Sequence, residues 1–141
     1  MFIRSGRKGY KNKKLSVESK MFKFKDALYN TYRYDPLILR NIFHVQLEDT
    51  LFSLSRNLRD QITDLSQKVM RMISNVYKEG VRQGKFRKGH SMAHADIVWS
   101  IFTGLVIWEE SKKKINPQKD FLKPTLDEAF EIFCQGIMRS K

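Results

Sequence analysis

Cysteine occurs once among the 141 residues, at Cys134. No intramolecular disulfide can therefore form, and nothing favours an oxidising compartment. A reducing cytoplasm fits. Long apolar runs are also missing. The longest, Ile97 to Trp108, has about 12 residues, against the roughly 18 to 20 that cross a bilayer, and the N-terminus lacks the apolar core of a secretory signal. A cytoplasmic protein without a membrane partner is expected. Acidic residues are scarce, 15 against 27 Lys and Arg, which leaves a formal charge of +12. Strand-like alternation is absent throughout, and no segment repeats another.

The position of the excess charge matters more than its size. Between Met1 and Lys25 nine basic residues face Glu18 alone, so +8 of the +12 lies in the first 25 residues. The body is only mildly basic. With 41% hydrophobic, 12% aromatic and 30% charged residues the chain falls outside the disordered class. Its length suits a single domain that buries roughly two thirds of its unfolded surface.

Residues 1–14 hold Gly6, Gly9 and six basic residues without an apolar period, and are read as a flexible basic arm; residues 15–141 form the helical domain. Ser16 can cap a first helix, in which Val17, Met21, Phe24 and Leu28 recur at helical spacing to about Asn30. Asp35-Pro36 opens a second, with a carboxylate at the N-cap and proline where a missing N–H costs nothing; it runs to about Leu54. A third covers about 58–83 with Ile62, Leu65, Val69, Met72, Ile73 and Val76 along one face. Gly80 and Gly84 bracket its end, and Phe86 tucks back as an apolar anchor. Ser91 can cap a fourth helix, apolar on nearly every side, that ends at Lys112-Lys113-Lys114. Thr125-Leu126-Asp127-Glu128 reads as a capping box opening a fifth. An apolar circumference as wide as that of the fourth helix implies two burials, one inside its own domain and one against something else.

Several of these features occur together in one known family. Asp35-Pro36 opening a helix, the Glu79-Gly80-Val81-Arg82-Gln83-Gly84-Lys85-Phe86 turn, Ala93, Ala95 and Asp96 entering an apolar helix with Gly104, and Phe133 with Gly136-Ile137 near the end resemble the C-terminal half of TetR-family transcriptional regulators over roughly 20–141. The resemblance implies an all-α, five-helix ligand-binding and dimerisation domain whose last two long helices pair with a second copy as a four-helix interface. Ile101, Gly104, Leu105, Trp108, Ile132, Phe133 and Gly136 would lie there. Gly104 and Gly136 either permit close helix approach or are merely tolerated in packed helices. A complete TetR protein begins with about 45 residues of helix-turn-helix, of which only a remnant, Tyr10 to Leu15, is legible. DNA contact would then depend on a missing or partial N-terminal domain.

Apolar walls with few polar groups suit a small-molecule pocket. Phe43, His44, Leu47, Met70, Ile73, Trp99, Phe102 and Thr103 are the candidates for a small apolar or amphipathic effector, with ordinary core as the alternative for each. His44 is the sharpest of them, since a buried imidazole needs a partner. In the arm, Arg4, Arg7, Lys8, Lys11, Lys13 and Lys14 can meet phosphates without reading sequence. This supports a rival reading as a basic helical binder of nucleic acid or an anionic surface. His90 and His94 are four apart, but without acidic or Cys partners at ligand spacing they are read as solvated histidines and not as a metal site. No cofactor motif and no catalytic constellation stands out, and Cys134 on an apolar face reads as an inert buried thiol.

Overall fold

The computed structural model describes residues 15–37 and 55–140, apart from the side chains of Leu58, Ile62 and Leu65. Four helices are found there: α1 Val17–Tyr34, α2 Arg56–Arg82, α3 Ser91–Ile115 and α4 Leu122–Ile137. The all-α class is as predicted. The predicted second helix lies outside the described residues beyond its start, where Asp35 Oδ1 accepts the Leu37 amide at 3.1 Å.

α1 is capped by Ser16, whose hydroxyl accepts the Ser19 amide, and runs one turn past Asn30 to Tyr34. The extension follows its apolar face, since Tyr32 is buried after Val17, Met21, Phe24 and Leu28. α1 packs on α2 and α4, and α3 packs on the same two helices, so each helix in the ring touches two neighbours. The shared core comprises Val69, Ile73 and Val76 of α2, Val98, Phe102 and Val106 of α3, and Leu126 and Phe130 of α4. Fully burying each such side chain stabilises by roughly 1.5–3 kcal/mol before conformational entropy is subtracted.

Two lysines counted in the basic N-terminal field are instead buried in this bundle. Lys20 Nζ meets both Glu79 carboxylate oxygens at 2.9 Å, and Lys25 pairs with Asp127 and Asp26. Their charge is spent on pinning α1 to α2 and α4. Part of the predicted N-terminal field is therefore neutralised internally.

Two predicted caps are corrected. His90, not Ser91, caps α3, its Nδ1 accepting the Ala93 amide at 3.2 Å. α4 begins at Leu122, whose amide is accepted by Asp120 Oδ1 at 3.2 Å, so Thr125 lies inside the helix and the expected capping box does not form. Pro124 at the third helical position explains the earlier start: it lacks the N–H that the first turn leaves unpaired anyway.

Candidate functional site

The end of α2 shows how a glycine-punctuated sequence becomes a rigid turn. Gly84 takes a positive φ of 74°, and the Gly80 carbonyl accepts the amides of Lys85 and Phe86 at 2.9 and 3.1 Å. Phe86 folds back until its ring lies against Gly80, where a Cβ would come within 2.1 Å of Cδ2. Only glycine fits there. The strand-like residues after the turn form one antiparallel bridge, Phe86 with Met138, in which Arg87 N donates to Ile137 O and Arg139 N to Lys85 O, both at 2.8 Å. The Tyr77 hydroxyl donates to Arg87 O at 2.6 Å, and burial raises its pKa, with Arg87 opposing. The His94 ring stacks on Tyr77 at 4.0 Å between centroids, and its Nδ1 lies 2.8 Å from His90 O. Both histidines are thus engaged in the turn. Among the described residues no three His, Cys, Asp or Glu side chains gather where they could hold a metal ion.

α3 has two surfaces. Ala95, Val98, Phe102, Val106 and Glu109 are buried at spacings of three and four. Glu109, only 1% exposed, pairs with Lys112 at 2.6 Å and accepts the Phe121 amide at 3.3 Å, fixing the α3–α4 connection. A second stripe at the same spacing, Ile97, Ile101, Gly104 and Trp108, lies uncovered or half-covered, with Trp108 60% exposed. Leu105 and Phe133 are half-buried, while Ile132 (61% exposed) and Gly136 are exposed on α4. His94 reaches the Phe133 ring edge-on at 6.4 Å, so the two stripes adjoin. Among the described residues nothing lies within 4 Å of a Cβ built on Gly104 or Gly136. The exposed Met92, Ile97 and Ile107 add apolar surface that sequence reasoning did not assign. By length and composition α3 as a whole is long and apolar enough to cross a membrane, a broader stretch than the Ile97–Trp108 run suggests.

Of the predicted effector residues, Phe43, His44 and Leu47 lie outside the described residues, as do all six predicted phosphate-contacting residues of the arm. The other five lie on α2 and α3. Ile73 and Phe102 are fully buried core, Met70 and Trp99 pack against that core half-covered, and the Trp99 and Phe102 rings lie 5.9 Å apart. Thr103, half-buried, donates to Ser100 O at 3.4 Å. At 100° per residue Trp99 and Thr103 fall on the flank of α3 away from Ile97, Ile101 and Gly104. Sequence reasoning missed Ser74, whose hydroxyl is buried on α2 without a hydrogen-bond partner among the described residues. A serine beside Ile73 in an apolar period was the available signal. Cys134 is buried as expected, and desolvation pushes its pKa to about 11, which leaves the thiol unreactive.

A family model described as the C-terminal region of QacR-like proteins matches residues 8–139, nearly the whole chain. The chain belongs to the TetR family. It is the C-terminal region of a TetR-type protein, as the Gly80–Phe86 turn and apolar α3 indicated. No curated protein and no solved structure matches it significantly. TetR C-terminal regions serve as ligand-binding and dimerisation domains of regulators, and the helices described here are of that class.

Proposed function

We propose that this chain is the effector-sensing and dimerisation domain of a TetR-like transcriptional regulator, pairing with a second copy through the outer stripes of α3 and α4. The observation that carries the reading is the uncovered stripe Ile97, Ile101, Gly104 and Trp108 beside Ile132 and Gly136. Large apolar side chains left exposed along one helical stripe are costly to leave in water and are a common mark of a contact surface. Family membership supports a second copy as the occupant in preference to a lipid bilayer, although α3 is apolar enough for either.

The opposite flank of α3 supports the sensing half of the proposal. Trp99 and Thr103 are half-covered there, Met70 is half-covered on α2, and the Ser74 hydroxyl, buried on α2 without a partner among the described residues, is a polar group that a small apolar or amphipathic effector could satisfy. With pairing and sensing on opposite flanks of one helix, an effector that favours one tilt of α3 shifts the angle between subunits. Operator contact would fall to a helix-turn-helix N-terminal to this region. Sedimentation equilibrium at micromolar concentration tests the pairing. An obligate interface buries on the order of 2,000 Å² or more, so a dimer is expected, and a monomer would overturn the assignment of the α3–α4 face.

A further inference from the structure

One recess in the bundle lies away from both flanks of α3. Val81, Phe86, Arg87, Lys88 and Arg139 line a cavity of about 400 Å³ at the pole formed by the turn after α2 and the end of the chain after α4. Its floor is apolar, because Phe86 is buried there and Val81 is half-buried. Three exposed cations stand on its walls. Among the described residues none of the three meets a carboxylate.

The bridge holds two of these cations, Arg87 and Arg139, one residue beyond each member of the Phe86–Met138 pair. Because Phe86 pairs with Met138, Lys85 stands opposite Arg139 and Arg87 opposite Ile137. Like charges directly opposite across an antiparallel pair repel, and Glu18, 4.0 Å from Lys85, is the one acidic contact of the four-residue group. The Tyr77 hydroxyl anchors the Arg87 carbonyl, so the turn cannot relax outward to separate the charges without losing a buried hydrogen bond. An anion seated in the recess would relieve the repulsion.

We propose that this polar recess binds small organic anions: a carboxylate or phosphate head held by Arg87, Lys88 and Arg139, with an apolar body resting on Val81 and Phe86. Guanidinium groups suit such heads because they donate two parallel hydrogen bonds to them. The cavity volume falls within the range of small-molecule sites. A nucleic-acid backbone would use the cations but has no use for the apolar floor, which is why the observations favour a small amphipathic anion.

Phenylbutyrate titrated into the intact chain, followed by two-dimensional NMR, tests the proposal, with phenylbutanol as its uncharged counterpart and a short DNA duplex as a polyanion. Saturable shifts at Val81, Phe86 and Gly84 are expected, with a dissociation constant on the order of 1 mM. The alcohol should leave these signals in place. Arg87→Gln combined with Arg139→Gln should weaken phenylbutyrate binding about tenfold or more, whereas Lys68→Gln combined with Arg71→Gln, the same loss of two charges on the exposed face of α2, should alter it less than about twofold. Absence of saturation, equal binding of the alcohol, or equal losses from both sets of substitutions would overturn the small-anion site. So would binding of the duplex alone, which would assign the pole to polyanions.

Discussion

Gly80 and Gly104 each interrupt a long helix, and in the sequence they read alike. In the folded chain they differ completely. Gly80 is buried under the Phe86 ring, with no room for even a methyl group, while no atom of the described residues lies within 4 Å of the Cβ that Gly104 lacks. The first glycine is required by the fold of one chain. The second is not required by the packing of the described residues, and is either a tolerated helical glycine or a place where another surface closes. The same contrast separates two regions: a turn whose parts fix one another, and an apolar face that no other described residue covers.

The largest expected effect breaks the first term of this contrast. Replacing Phe86 by Ala empties the space beneath Gly80 and should cost about 3–5 kcal/mol in a urea or thermal unfolding experiment. Gly80→Ala inserts a methyl where the ring already lies and should cost about 1–3 kcal/mol, in spite of alanine's better helix propensity. A Gly80→Ala protein as stable as the original would show that the turn yields easily, and the comparison with Gly104 would lose its meaning.

The second term is tested by Gly104→Leu. In the isolated chain the leucine meets open space, so the midpoint of unfolding of the dissociated form should stay within about 0.5 kcal/mol of the original or rise. Dimer dissociation measured by sedimentation should become about tenfold easier or more if helices approach there. An unchanged dimer would return Gly104 to a tolerated helical glycine.

Smaller effects concern the caps and ion pairs. His90→Ala removes the acceptor for the Ala93 amide and should cost about 1 kcal/mol, while His90→Asp should restore or exceed the original stability. Asp127 sharpens the pH dependence. Hydrogen bonds from Lys25 first, and from Lys123 after it, outweigh desolvation and hold its pKa below the ordinary 3.8. Its contribution is complete above the unfolded value near 3.8 and is lost as pH falls through the lower native value. In an acid titration followed by circular dichroism, Asp127→Asn should flatten the loss of stability below pH 3.8. A slope identical to the original would mean that the Lys25 pair contributes nothing to acid sensitivity.

Helix positions and the turn were legible because their causes are local: a Ser16 cap, periodic apolar residues, a glycine at positive φ and an aromatic two residues after it. The burial of Lys20 and Lys25 was not, since their partners Glu79 and Asp127 lie 59 and 102 residues away. A lysine destined for a buried carboxylate carries no local mark. The α4 start was misread because Thr125 and Glu128 match a capping box, while Asp120 and Pro124 together define an earlier first turn. The candidate site was legible only as composition. Ile73 and Trp99 look equally suited to a pocket, yet one is sealed in the core and the other half-open. The cationic recess escaped notice because Arg87 and Arg139 meet only when the bridge brings the end of the chain back to the turn.

That bridge also has a mechanical meaning. α2 leads through the turn into α3 and then α4, and the pairing of Phe86 with Met138 fastens the far end of α4 back onto the turn. The helices from α2 to α4 thus form a closed linkage in place of an open chain. A tilt of α4 cannot be absorbed at a loose end. It is carried to Lys85, and from there across 4.0 Å to Glu18 in the first turn of α1. A change of angle at the outer face therefore has a short route to the first turn of α1.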